Sequence, residues 1–543
     1  MRATDFESAA SAIPPLRRDR PLGRQRTRKT SRLPVFQERP HGGARRSRDS
    51  PPEARPSRGR REEVFAGPLH RCYTNDGSAL PRPSPRHRAR LRPRRPHPPF
   101  RTIPGTDPRQ SMHVVVFEDH AVERLGVLVA ARPACALTVG TTTLVGMLDT
   151  LGVVRPVPRR AFEAHAASSR SRGVTLWGMP PWHPYDDLPR DTPVLAVNAR
   201  LVPTARHLAF LRTLITSGRS TVVTADGVVA AAVVLPGSAA AGDPLRPFLE
   251  RRSDVAHVLA GRDTTERGDE IRLLVDPHDV VTEHERAIEG DLAARIDAGR
   301  YAEERPGLHV APGGHVDRLV AVRRGPVVVE SGAEIGPFVC LDGPVWVGPH
   351  ARINPHAWIR PGTSIGRGCR VGGEVEATVF EPFANKPHEG FVGHSHVGSW
   401  VNLAAGTITG NLKSTYGEVR LHDPRPDGSR STVHTGRQFL GALVGDLVRS
   451  AVGTLLPCGA RIGMAATIGG SVPDRVPPFF NMLVGGPGGS QSTPDQAATI
   501  LSRMMARRGV PSLPTDLVLL TELARAGSPA ASEPGATPKS DAI

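Results

Sequence analysis

VVVESGAEIGPFVCLDGPVWVGPHARINPHAWIRPGTSIGRGCRVGGEVEAT (327–378) repeats a small aliphatic side chain at every sixth position. Val329, Ile335, Leu341, Val347, Ile353, Ile359, Ile365, Val371 and Ala377 share one phase. Val327, Ala333, Val339, Val345, Ala351, Ala357, Thr363, Cys369 and Val375, also small, stand two places earlier. A period of six fits neither a helix nor an uninterrupted strand, so the unit is a short strand plus a turn. Three such units make one triangular coil. Coils stack so that each inward side chain lies over its counterpart, and the narrow interior selects small residues. The expected fold is a parallel β-helix.

A second, weaker stretch of coils follows the first. Val397, Leu403 and Thr409 resume the phase twenty residues after Ala377, and Val444, Ser450, Leu456, Ile462 and Ile468 form a third run. The first slip predicts a loop thrown out around Glu381–Gly390, the second an insertion around HDPRPDGSRS (422–431). Interruptions of a solenoid are where such scaffolds carry chemistry. Upstream, HVVVFE (113–118) and PVLAVNARLVP (193–203) read as strands, TTTLVGMLDTLGV (141–153) as a helix, and STVVTADGVVAAAVVLP (220–236) as a hairpin turned at Asp226-Gly227. Residues 112–305 therefore read as a mixed α/β domain, 320–485 as the β-helix, 490–526 as C-terminal helices opened at Thr493-Pro494-Asp495 and Thr515-Asp516, and 527–543 as a disordered tail.

Charge is unevenly distributed. Residues 1–111 hold 27 Lys+Arg and 10 Asp+Glu, a net of +17; subtraction from totals of 70 and 53 leaves 43 of each sign in 112–543. The folded body is neutral, which argues against a nucleic-acid surface. The Arg/Pro-rich leader buries too little apolar surface to order itself and is expected to be disordered. A polyanion-binding arm and a transit peptide are alternatives, but Met112 opens the first clean strand and is the better start. No run of about 18 apolar residues marks a membrane span. Scattered cysteines without CxxC spacing fit a reducing cytoplasm and argue against zinc. His350 and His356, six apart, do not make the pair five apart that a carbonic-anhydrase-like zinc site would need.

At NKPHEGFVGHSHVGSWVNLAAGTITGNL (385–412), with NLKSTYGEV (411–419) and GRQFLGALVGD (436–446), the chain resembles the acetyltransferase half of the bifunctional UDP-N-acetylglucosamine diphosphorylase/glucosamine-1-phosphate N-acetyltransferase family. It looks closer still to a divergent bacterial branch described as sugar nucleotidyltransferases. That resemblance implies a left-handed β-helix, a homotrimer, acetyl-CoA as acyl donor and a cytoplasmic enzyme. It implies His388 as general base toward a sugar amine, Asn402 and the position of Phe391 as sugar contacts, and Asn411, Ala442, Ala465 and Ala466 as cofactor contacts. Lys386, Arg360 and Arg370 are phosphate candidates by charge. The alternative for His388 is a surface histidine without a role; the matched Gly393, Val401-Asn402 and Gly406-Thr407 favour the active site.

Departures accompany the match. Phe391 replaces the family's tyrosine, Leu412 follows Asn411 where a tyrosine stands, and Ala442 replaces a serine. In the first domain the Gly-rich loop and lysine of a sugar nucleotidyltransferase are missing, while Glu118-Asp119, Arg132-Pro133 and Asn198-Ala199-Arg200 match the divergent branch. Asp119, Arg132, Asn198 and Arg200 are nucleotide-binding candidates, with Mg²⁺ only if that domain is active. The expected function is N-acyl transfer to an amino-sugar 1-phosphate or nucleotide amino sugar. The alternatives are sugar-1-phosphate nucleotidyl transfer with the β-helix as a trimerisation module, and non-catalytic nucleotide-sugar binding.

Overall fold

The computed structural model of the chain describes residues 112–527, apart from stretches within 158–191 and from 236–263, 268–269, 425–428 and 486–487. The Arg/Pro-rich leader and the tail lie outside the described residues.

The α/β region is built on a six-stranded sheet in the order Val153–Val157, His113–Phe117, Val194–Asn198, Val228–Val234, Thr221–Ala225, Thr264–Glu266. His113–Phe117 runs parallel to both neighbours, and every one of its residues is buried. The hairpin turns at Asp226 and Gly227, whose φ of 51° and 72° suit an Asp-Gly pair. The predicted helix over 141–153 shrinks to α1 (Leu144–Leu148), capped by the Thr143 side chain, because the next strand begins at Val153. Helices α2 (Ala205–Thr216) and α3 (Asp279–Asp297) complete the region.

The solenoid has three faces. Face I stacks Leu308–Val310, Val327–Val329, Val345–Val347, Thr363–Ile365, Val379–Phe380, His396–Val397, Leu443–Val444, Arg461–Ile462 and Arg475–Val476. Face II stacks His315–Val316, Glu334–Ile335, Arg352–Ile353, Arg370–Val371 and Asn385–Lys386; face III stacks Ala321–Arg324, Cys340–Asp342, Trp358–Ile359, Glu374–Glu376 and Phe391–Gly393. The first eight residues of the predicted phase are all buried in one continuous core. Each such burial contributes roughly 1.5–3 kcal/mol.

The ninth is corrected. Val375, not Ala377, sits over Ile359, and Ala377 turns a corner at φ 44°. The coil there is shortened rather than interrupted: Phe380 pairs with Ile365, and Lys386 with Val371. No loop is thrown out at Glu381–Gly390. The second insertion is real, with Arg420–Pro424 pairing antiparallel with Arg430–His434. It does not project freely: Val419, Leu421, Leu440 and Leu443 join the core of the α/β region.

Each face has a different cover. The α/β region lies on face I, where Trp346 packs under Ile288 and Leu292 of α3 and donates from Nε1 to Glu330 at 3.0 Å. Helices α4 (Pro494–Ala506) and α5 (Pro514–Gly527) close over Trp400 and Ala465 beside the corner between faces I and II. Thus Trp346 and Trp400 are covered by their own chain. Face III stays open, with Trp358, Ile408 and Leu455 exposed by 37%, 41% and 49%.

Candidate active site

His388 lies at the corner between faces II and III, on a segment whose backbone is tied at four successive carbonyls. Lys386 O accepts from Gly372 N at 2.7 Å and Glu389 O from Gly406 N at 3.1 Å. Pro387 O accepts from Asn354 Nδ2 and His388 O from Lys386 Nζ, both at 2.9 Å. The imidazole itself is exposed. The side chain thus stands in solvent at a fixed point of the corner.

Lys386 is therefore not a phosphate ligand. Its position over Val371 points it inward, where its ammonium donates to Gly372 O at 2.7 Å as well as to His388 O. Burial brings its pKa down to about 8.

On face II an outward column runs Glu334, Arg352, Arg370, Asn385, Asn402, Arg449, Thr467. Asn385 Nδ2 donates to Asn402 Oδ1 at 2.7 Å, and Arg508, just beyond α4, donates to Asn385 Oδ1 at 3.0 Å. Arg449 donates to Thr467 Oγ1 at 2.6 Å.

The far end of strand Phe391–Gly393 holds a second cluster. Asn411 Nδ2 lies 3.0 Å from His394 Nδ1, and the His394 ring stacks on Phe439 at 5.3 Å. Burial, aided by Arg437 and Arg360, lowers the pKa of His394 to about 4, so the ring is neutral at ordinary pH. Arg360 bridges to Glu374 and Glu376, both at 2.9 Å, and lies over Trp358. With two carboxylates it is charge-compensated, which removes it as a phosphate ligand; Arg370 keeps that possibility. Phe391 stands over Glu374 on face III. The sequence alone did not single out these glutamates, because nothing local shows that they meet Arg360 across a coil.

The expected cofactor alanines are structural. Ala442 and Ala466 are inward core residues, and Ala465 packs against the C-terminal helices. Ala442 N donates to Ser395 Oγ, Ala465 N to Asp446 O and Ala466 N to Gly463 O, while their carbonyls accept from His396 N, Arg449 Nη2 and Arg449 N. Each of these backbone groups thus has at least one partner within the chain.

The nucleotide candidates of the α/β region are likewise engaged. Arg200 donates twice to Asp119, at 2.8 and 2.6 Å, and Asn198 donates to Asp119 at 2.9 Å. Burial pushes the Asp119 carboxyl up, but Arg200 and Asn198 hold it below its ordinary value. Arg132 is fully buried between Asp446 and Glu381, so it joins the α/β region to the solenoid instead of facing a nucleotide. Among the described residues no group of three His, Cys, Asp or Glu could hold a metal ion.

Residues 114–300 match the family described as sugar nucleotidyl transferase. The chain is 33% identical over 161 residues to the bifunctional sugar-1-phosphate nucleotidylyltransferase/acetyltransferase of Sulfurisphaera tokodaii, covering 28% of this chain and 38% of that protein. It is 42% identical over 92 residues to the bifunctional protein GlmU of Paracoccus denitrificans, covering 16% of this chain and 19% of that one. The GlmU of Cupriavidus taiwanensis is 36% identical over 140 residues, 25% of this chain and 29% of that one. The chain spans at most 38% of the length of these relatives. A similar solved structure is AntD, an N-acyltransferase from Bacillus cereus in complex with dTDP and 3-hydroxybutyryl-CoA, at 11% identity, with 40% of this chain and 96% of that chain covered and a TM-score of 0.18. Another is the acetyltransferase domain of PglB from Neisseria gonorrhoeae, at 9% identity, 41% and 76% coverage and a TM-score of 0.14. No helix among the described residues is long and apolar enough to cross a membrane.

Proposed function

We propose that this protein is a sugar N-acyltransferase that uses an acyl-CoA, with acetyl-CoA the first donor to try, and acts on an amino-sugar 1-phosphate or nucleotide amino sugar. The observation that carries the reading is the exposed His388 imidazole on a backbone tied from both sides. In the reaction the sugar amine attacks the thioester carbonyl, the C–S bond breaks, CoA leaves as the thiol and an amide forms. His388 takes the N–H proton as the amine attacks and returns it to the departing thiolate. Asn402, held by Asn385, offers its amide group to a sugar hydroxyl. Asn411 and Phe391 complete the edge along which donor and acceptor meet. The acceptor's phosphate lies away from Arg360, which Glu374 and Glu376 already neutralise.

The exposed Trp358, Ile408 and Leu455 on the open face support packing against further copies of the chain, a homotrimer in the closed form. A second reading, nucleotidyl transfer, is favoured by the match over 114–300; the closed Asp119–Arg200 pair counts against it. The deciding experiment follows thiol release from acetyl-CoA with a panel of amino-sugar 1-phosphates and nucleotide amino sugars, wild type against His388→Ala. Turnover abolished by the substitution supports acyl transfer. Absence of release with every acceptor, alongside pyrophosphate release from a nucleoside triphosphate and a sugar 1-phosphate, would replace it with the second reading.

A further inference from the structure

Where α4 ends above the corner between faces I and II, a cleft of about 320 Å³ is lined by His350, Arg352, Arg367, Arg370, Arg507 and Arg508, with Glu334 at its edge. Five guanidinium groups face one carboxylate, a formal +4, and that carboxylate is already engaged with Arg352 at 2.8 Å. Among the described residues, Arg367, Arg370 and Arg507 make no ion pair with a carboxylate. Favourable placement of cations at a helix C-terminus accounts for Arg507 and Arg508. It does not account for Arg367 and Arg370, which reach the same space from the solenoid.

Arg508 is anchored, donating to Gly368 O at 3.1 Å and to Asn385 Oδ1 at 3.0 Å. Burial first, and then repulsion from Arg370, Arg507 and Arg352, bring its pKa down to about 10. Such repulsion is relieved by a counter-ion, and the planar fork of arginine matches phosphate oxygens two at a time. The volume sits at the lower end of small-ligand pockets, roughly 300–1,000 Å³, enough for a diphosphate group and not for a whole nucleotide sugar.

We propose that this cleft is a diphosphate-binding site, taking free pyrophosphate or the diphosphate of a larger ligand whose remainder extends along the Asn385–Asn402 column. Binding here does not depend on acyl transfer. Titration calorimetry on the full chain at low salt, with inorganic pyrophosphate, UDP-glucose and coenzyme A in separate arms, tests it. Saturable binding is expected, weakened at least tenfold in Arg367→Gln/Arg507→Gln and less in Arg367→Lys/Arg507→Lys, which keeps charge but loses the fork. Melting curves establish that both variants are folded, and the Lys pair carries the test if the Gln pair is not. The tightest arm identifies the source of the diphosphate, and equal arms identify the diphosphate alone. No saturable heat, unchanged affinity in both variants, or equally tight binding of sulfate would overturn the assignment.

Discussion

Glu381 Oε2 lies 2.9 Å from Arg132 Nη1, and neither side chain has any solvent exposure. Thr138 N and Oγ1 donate to the same carboxylate at 2.8 and 2.9 Å, and His396 Nε2 stands 3.0 Å from it. Burial opposes the charge on Glu381, but Arg132 and His396 hold its pKa down to about 2. The pair fastens the α/β region to face I of the solenoid. Removing one partner of such a buried network strands the other. Arg132→Met is expected to cost about 3–5 kcal/mol, read from guanidinium unfolding. Arg132→Met combined with Glu381→Gln should recover part of that loss, and a double variant no better than the single would refute the coupling.

His284 sets a pH dependence at the same junction. Its Nδ1 accepts from Gly140 N and its Nε2 donates to Gly362 O at 2.8 Å, so the neutral ring is required. Burial lowers its pKa from 6.5 to about 4. The unfolded chain therefore binds a proton that the folded chain refuses between those values, and stability falls as pH drops from 6.5 toward 4. Melting temperature measured across that window should decline, and His284→Gln should flatten the decline.

The shortened coil predicts a contrast two residues apart. Val375→Asp places a charge in the solenoid core and should prevent accumulation of folded protein. Ala377→Gly, at a corner with φ 44°, should change stability by less than about 1 kcal/mol. Denaturant melts and soluble yield measure both, and equal sensitivity would contradict the register.

Lys386 tests whether the His388 backbone must be held. Lys386→Met keeps the stem inside the coil and loses both carbonyl contacts. Acyl turnover is expected to fall by about tenfold, from misplacement of the base, with thermal unfolding still cooperative. A change in KM alone would reassign Lys386 to substrate binding.

The solenoid was legible because its narrow interior admits only small residues, and that constraint repeats in the sequence. Its slip was not, because Ala377 satisfies the phase as well as Val375 does and nothing local separates an inward alanine from a corner alanine. The error carried into the site: with a loop expected at Glu381–Gly390, Lys386 looked like a polar loop residue. Arg132 was misread for a different reason. Its partner Asp446 is 314 residues away, and an isolated arginine reads the same whether it meets a phosphate or a buried carboxylate. His388, Asn402 and Asn411 lie in a local motif on which a family resemblance can rest, though the tie between Asn402 and Asn385 needed the coil register to emerge.

The hairpin that leaves the solenoid at 410–442 has a consequence for biosynthesis. Its Val419, Leu421 and Leu440 fill the core begun at Val114, so the α/β region cannot complete that core until much of the solenoid has been made. At roughly 5–20 residues per second, the stretch from the end of α3 to the hairpin takes about 7–30 s. Through that interval the nascent α/β sheet exposes an unfilled apolar seat, a natural target for a holding chaperone and a hazard for truncated chains.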